Sequence, residues 1–293
     1  MPDSGIRTVF SLQELTAFQP QAAIIASPAP CHISVADALL QTGCHVLIEK
    51  PLAHCVSATA TLTGTSHNQQ TVAVGYSLRH LALMREVKRL VDNGELGRIF
   101  SVRASVGQYL PDWRPQQDYR KVVSARKELG GGALLELSHE VDYLQWIFGV
   151  PNTVVAMGGR SGLLELDVED HVDLLWRYDD GHPSVSVHLD MLDRAGCRTL
   201  YIAGETGVLS ANLIDRAARH YRAESGEWQV LSFAEDEDRN GMYMTELVDF
   251  FACIESGQSP VCTLSEGIQT LAIVDAAKAS LELGGKATKV EAA

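Results

Sequence analysis

Three short segments carry the residue types that can move a proton or grip a charged ligand, and each follows an apolar run. Ser27, Pro28 and His32 come after "AAIIA" (22–26). Glu49, Lys50 and Pro51 come after "HVLI". Tyr76 and Arg79 come after "TVAVG". A lysine at the edge of a partly dry crevice has a lowered pKa and can exchange a proton with a hydroxyl near neutral pH. Glu49 stands beside it, able to orient it or offset its charge. Pro51 fixes the local backbone, and a cis Lys50–Pro51 bond would suit a tight functional turn. A fourth segment, "GGGALLELSHEVDY", joins glycines 130–132, which allow close backbone approach, to His139 and Asp142. His139 can shuttle a proton near pH 7, and Asp142, three residues on, shares its helical face and is the catalytic partner expected to hold or recruit it.

Each segment alone also reads as ordinary structure. "EKP" can be a surface turn with a solvated lysine. The His139 helix can simply pack through Leu135, Val141 and Trp146. His-x-x-Asp is half of a metal site as well, but no third ligand stands at recognisable spacing, so no metal is expected. The loop over 108–127 is rich in aromatic and basic residues. Trp113, Arg114, Tyr119 and Arg120 are candidates to hold a sugar ring or a phosphate, and the loop's length favours function.

The elements needed to bring these residues together are legible. Strand-like runs at 22–26, 45–49 and 71–76 are spaced by helical patterns. One is "PCHISVADALLQTG", with Pro30 in its first turn and Ile33, Ala36, Leu39 and Leu40 on one face; a weaker one lies near 56–69. Alternation of this kind implies parallel strands joined by right-handed crossovers. Ligands of such sheets bind beyond the carboxyl ends of the strands, so the three segments should converge on one crevice. "LMREVKRLVDNGELG" makes an amphipathic helix ending near Gly94. After the boundary, placed near residue 97, the pattern turns to strands. In "VEDHVDLLWRY" the residues Val168, Val172, Leu174, Trp176 and Tyr178 share a face with Asp170, and "SVSVHLDML" returns as the hairpin partner. Helices near 242–256 and 264–283 close the chain. The reading is of two domains, 1–97 and 98–293, the second offering a sheet face with His171, His188 and Arg177 for self-association.

Composition bounds the function class. The 293 residues carry a formal net charge of −13, which disfavours nucleic acid as a partner. No apolar run approaches the ~20 residues of a membrane helix, and the N-terminus lacks the layout of a secretory signal. The six cysteines form no C-x-x-C pair, which suits reduced thiols and a cytoplasmic setting.

Taken together, Ser-Pro-x-x-x-His, then Glu-Lys-Pro, then Gly-Tyr-x-x-Arg, then Gly-Gly-Gly followed by His-x-x-Asp resembles the glucose–fructose oxidoreductase / inositol dehydrogenase (Gfo/Idh/MocA) family over nearly the whole chain. The resemblance implies an NAD- or NADP-dependent oxidoreductase acting on a sugar, inositol or nucleotide sugar, assembled as a homodimer or homotetramer. It implies that Lys50 is catalytic and that His139 is the active-site histidine against the substrate. Ser27, Pro28, His32, Glu49, Lys50 and Pro51 would lie on the cofactor side, with Arg79, which matches the family's arginine after its strand. Two departures are visible. Glu136 stands three residues before His139 where the family has four, so alignment on the acid puts Glu140 in the catalytic place, whereas His-x-x-Asp puts His139 there. No G-x-G-x-x-G turn precedes the first strand, so the expected fold is α/β with an incomplete Rossmann-type parallel sheet, followed by an α+β domain with a large, mostly antiparallel sheet. The expected consequences are impaired dinucleotide binding, an apolar edge at "AAIIA", and a strand near "TVF" without its partner. An upstream start, a gap covered by a neighbouring subunit, and a non-catalytic binding or interaction protein on the same scaffold are the three accounts of that departure.

Overall fold

A computed structural model of the chain describes residues 7–63, 70–179, 183–233 and 240–291. Near the start, residues 8–10 form no strand. The chain instead enters helix α1 (Leu12–Ala17), whose first turn is capped by the Ser11 side chain accepting from the Glu14 amide. The Ser cap sets the local structure there. Phe10 is left exposed.

Strand β1 (Ala22–Ile25) leads through helix α2 (Ala29–Leu40) to strand β2 (His45–Glu49). The two strands are parallel, with Ile24 opposite Leu47. Helix α2 buries Ile33, Ala36, Leu39 and Leu40, the face read from the sequence, and Pro28 and Pro30 start it. A 3₁₀ turn (Val56–Thr59) and the short helix α3 (Ala60–Thr63) begin the next crossover; positions 64–69 of the expected helix lie outside the described residues. Strand β3 (Val72–Gly75) completes a three-stranded parallel sheet of order β1-β2-β3, with Gly75 opposite Glu49. Ile24 on the edge strand is 54% exposed. A 3₁₀ turn (Ser77–His80) then feeds helix α4 (Ala82–Asp92), which buries Leu83, Met84, Val87 and Leu90.

Strand β4 (Ile99–Gly107) opens the second sheet. The segment after it holds the single-turn helix α5 (Leu110–Trp113) and three 3₁₀ turns, and runs into helices α6 (Ala133–Glu136) and α7 (His139–Phe148). The sheet is then built from β5 (Thr153–Gly159), β6 (His171–Arg177), β7 (Ser184–Asp190), β8 (Cys197–Gly204), β9 (Gly207–Asn212), β10 (Ala217–Arg222) and β11 (Glu227–Leu231). The nine strands run in the order β11-β10-β9-β8-β4-β7-β6-β5-β12, with β12 at Thr288–Lys289. Every pairing is antiparallel except β4 with β7. Alternation is strict on β6: Val172, Leu174 and Trp176 are buried and the residues between them face outward, as a one-sided sheet requires.

Helices α8 (Gly241–Ser256) and α9 (Leu264–Glu282) come back across both sheets. Phe250 of α8 packs on Leu47 and Ala73 of the parallel sheet, and burial of such a ring contributes roughly 1.5–3 kcal/mol. Thr263 and Glu266 form a reciprocal capping box at the start of α9. Thr263 also bridges to Ala73. The main apolar core runs continuously from α2 to the second sheet, so a cut at 97/98 separates the sheets but not the packing.

Candidate active site

The helix expected over 133–149 is broken, and the break makes the site. Leu137 leaves helical geometry (φ −100°, ψ 22°), and the Ser138 hydroxyl donates back to the Leu135 carbonyl at 2.8 Å. The Glu140 amide then donates to Leu137 rather than to Glu136. The Glu136 carbonyl is thereby released from the helix, and the Lys50 ammonium donates to it at 2.8 Å across 86 positions of sequence. A carbonyl within an unbroken helix already accepts from the amide four residues on, so the 3.6-residue apolar period gives no hint of this acceptor.

The glycines before α6 are required by contacts. Gly130 and Gly132 have φ of 81° and 108°. A methyl group on Gly131 would collide with the carbonyls of Val123 and Ser124, and one on Gly132 with the Glu169 carboxylate. The Glu169 carboxylate in turn accepts from the Leu134 amide at 3.1 Å, at the start of α6. On the other side Lys50 follows the buried Val46, Leu47 and Ile48 of β2, and its peptide bond to Pro51 is cis. His32 is buried between the strand ends, its ring nitrogens 3.0 Å from the Pro51 carbonyl and 2.6 Å from the Ser27 carbonyl. It brackets the turns after β1 and β2.

His139 lies at the start of α7, edge-on to the Tyr76 ring with centroids 5.7 Å apart. The Tyr76 hydroxyl donates to Ser138 at 3.3 Å. Burial holds the imidazole well below its usual pKa of 6.5, and the positive charges of Arg198 and Lys50 push it in the same direction. It is therefore a neutral base at pH 7, and its Nδ1 is buried with no hydrogen-bond partner. The structure brings Lys50, Glu136 and His139 to one junction between the lobes.

Asp142 is not directed at His139. Its carboxylate takes a bidentate pair from Arg79, at 2.9 Å from Nε and 2.8 Å from Nη2, and a further hydrogen bond from Thr270 at 3.3 Å. Arg79 is 0% exposed, and its Nη1 donates to Glu266 at 2.6 Å and to the Val261 carbonyl at 3.0 Å. Expected on the cofactor side, Arg79 instead ties the turn after β3 to α7 and α9. Glu140, the competitor for the catalytic position, is fully buried and accepts a bidentate pair from Arg198 at 2.7 and 2.9 Å. His139, by contrast, makes no such ion pair, and it feels the Lys50 charge. These pairings join residues 63 and 58 positions apart, which no local pattern announces.

Of the expected substrate residues, Trp113, Arg114 and Tyr119 line a cavity of about 190 Å³ together with Lys50, Ser124 and Glu136. Arg120 does not join them. It pairs with Asp118 at 2.8 Å and lines a separate open cavity beside Arg126 and Arg160. Ser124 was missed by sequence reading. It lies inside the loop, and its hydroxyl donates to the Glu136 carboxylate at 3.0 Å, a contact set by tertiary packing alone.

Two family profiles match, one for an oxidoreductase family with an NAD-binding Rossmann fold over residues 3–76, and one for a Gfo/Idh/MocA C-terminal domain over residues 84–210. The chain belongs to the Gfo/Idh/MocA family. It is an oxidoreductase by family, built on an NAD-binding Rossmann fold. An uncharacterised oxidoreductase of Synechocystis is 32% identical over 149 residues, 50% of this chain and 39% of that relative. A 1,5-anhydro-D-fructose reductase of Ensifer adhaerens is 26% identical, covering 92% of this chain and 80% of its own length. A levoglucosan dehydrogenase of Pseudarthrobacter phenanthrenivorans is 24% identical, covering 86% and 75%. The fold is shared with a levoglucosan dehydrogenase solved with NADH and levoglucosan (TM-score 0.83, 22% identity, covering 92% of this chain and 80% of that one). It is shared also with an aldose–aldose oxidoreductase of Caulobacter crescentus complexed with glycerol (TM-score 0.80, 20% identity, covering 92% and 79%).

The strand ends fit the nicotinamide end of such a cofactor. The Ser27 hydroxyl at the end of β1 is buried and unpartnered, a polar group waiting for a ligand atom, and Lys50 stands at the end of β2. No cluster of three or more ligating side chains suited to a metal exists among the described residues. No helix among them is long and apolar enough to cross a membrane.

Proposed function

We propose that this protein is an NAD- or NADP-dependent dehydrogenase or reductase of a sugar-like substrate. The observation that carries the reading is the bond of Lys50 to Glu136, both of which line the cavity with Trp113, Arg114 and Tyr119, with His139 near enough to feel the Lys50 charge. When bound, the nicotinamide supplies or accepts the hydride. Ser27, Glu49 and Lys50 are the residues that would hold its nicotinamide end.

The chain's own residues handle the proton and the charge. His139 is neutral, so a ring nitrogen free of protein partners can take the hydroxyl proton as the carbinol carbon is oxidised, and return it in the reverse direction. Lys50 spends one of its three N–H groups on the Glu136 carbonyl. The other two are available to a substrate oxygen, where an ammonium stabilises developing negative charge. Trp113 and Tyr119 offer flat apolar faces to a sugar ring, and Arg114 offers donors to its hydroxyls.

Two further parts complete the reading. The chain assembles through the outer face of the nine-stranded sheet, where Leu175 and Met157 are exposed among polar neighbours. It works in the cytoplasm, in keeping with its cysteines, which are all free thiols.

The test is a titration with NADH and NADPH followed by nicotinamide fluorescence, then turnover of a panel of sugars with wild type and Lys50→Ala. Lys50→Ala is expected to lose about 10²-fold or more in kcat while still binding substrate. Undiminished turnover in that variant would remove Lys50 from the chemistry, and no fluorescence change at millimolar cofactor would remove the dehydrogenase reading.

A further inference from the structure

We propose that a second cavity, divided from the Lys50 cavity by helix α5, is a subsite for an anionic group of the substrate, a phosphate or a carboxylate. This deepens the dehydrogenase reading by naming the class of sugar it takes, and rests on it.

The cavity measures about 570 Å³. Tyr109 and Asp112 line it, whereas Leu110 and Trp113 line the smaller cavity that holds Lys50, so α5 and the residue before it form the partition. Two arginines stand in its wall with donors to spare. Arg198 spends its Nε and Nη2 on Glu140, at 2.7 and 2.9 Å, and its Nη1 has no partner among the described residues. Arg194 lies with its guanidinium 3.6 Å from the centroid of the Tyr109 ring. Stacking uses the face of a guanidinium and leaves its N–H edge open. Acidic side chains outnumber basic ones 37 to 24 in the chain, yet among the described residues none pairs with Arg194.

The turn that presents Arg194 is held at four amides. The Asp190 Oδ1 accepts from Leu192 and Asp193, both at 2.7 Å, and the Asp193 Oδ1 accepts from Ala195 and Gly196 at 2.8 and 3.2 Å. Asp193 also lines the cavity, with its carboxylate engaged in that turn, and Arg216 brings the lining to three arginines against the carboxylates of Asp112 and Asp193. Forked N–H donors match the paired oxygens of a phosphate or carboxylate. Asp112, whose carboxylate has no hydrogen bond among the described residues, suits a sugar hydroxyl. His139 feels the charge of Arg198 as it does that of Lys50. One cation of each cavity therefore bears on the same imidazole. A sugar whose reacting carbon stands at Lys50 and His139 can extend its anionic group toward Arg194 and Arg198.

The experiment uses the full chain. Calorimetric titration at constant ionic strength follows inorganic phosphate binding to wild type and to Arg194→Gln, a change at an exposed side chain. The expected result is saturable binding at millimolar phosphate that weakens about 10-fold in the variant, the worth of one charged hydrogen bond. D-glucose 6-phosphate and D-glucuronate are titrated beside D-glucose, which separates a phosphate preference from a carboxylate preference. At least one of the two is expected to bind more tightly than D-glucose and to lose that advantage in Arg194→Gln. Absence of saturable phosphate binding, equal affinity in wild type and variant, or D-glucose bound as tightly as both anionic sugars overturns the proposal. These signals are read without turnover, so their failure leaves the dehydrogenase reading intact, whereas failure of that reading shows separately as no response to NADH or NADPH.

Discussion

At the scale of single residues, His139 and Lys50 divide the work because their surroundings differ. Lys50 keeps one proton anchored on a backbone carbonyl, and His139 is kept neutral by burial and by two nearby cations. The sign of the pH effect follows. A histidine whose folded pKa lies below 6.5 binds fewer protons folded than unfolded, so stability falls as pH drops below 6.5, and the base form persists there. His80, pushed down to about 4 by burial, adds to the same window. Urea titrations between pH 7 and 4.5 are expected to lose stability continuously, and His139→Asn to flatten part of that slope while lowering kcat about 10²–10⁴-fold. A kcat that halves near pH 6.5, the usual imidazole value, would contradict a neutral, buried His139. Lys50 was legible in the sequence because it ends a strand whose partners were legible too. The burial of Glu246 on α8 was not, since a glutamate in a helix looks solvated until the helix is laid against β2.

At the scale of elements, the Arg79–Asp142–Glu266 cluster joins the turn after β3 to α7 and α9, with the Arg79–Asp142 pair fully buried and Glu266 part-exposed. Trp146 adds a ring 5.4 Å from the guanidinium. Removing one partner leaves an uncompensated buried charge, which typically costs ~3–5 kcal/mol. Asp142→Ala and Arg79→Ala are each expected to lose that much in urea unfolding. The paired change Arg79→Met with Asp142→Leu is expected to cost less than either. If Asp142→Asn abolishes kcat with stability unchanged, the carboxylate acts on His139 after all. The same scale explains what periodicity could and could not tell. Helix α2 and strands β6 and β7 followed their apolar patterns because each buries one face. The helix carrying His139 did not stay whole, because a serine back-bond, invisible to a periodic pattern, interrupts it at Leu137.

At the scale of the whole molecule, the two sheets share one core, and the nine-stranded sheet leaves a broad outer face. Arg103 stacks over Tyr201 on that sheet, and His188 lies between Asp173 and Asp190. A dimer in light scattering, reduced to monomer by Leu175→Asp with the fold retained, is the expected outcome for self-association through this face. A wild type that scatters only as monomer at high concentration would end that expectation. Among the described residues β1 pairs with β2 alone, and near the start no strand forms where one was expected, the chain entering helix α1 just after it. The bond from the Lys50 ammonium to the Glu136 peptide is the feature with the widest reach. It tethers the Lys50 ammonium, the group proposed to meet the substrate oxygen, to the main chain of the other lobe. A displacement of one lobe against the other that stretched this bond would change how many N–H groups the ammonium has free.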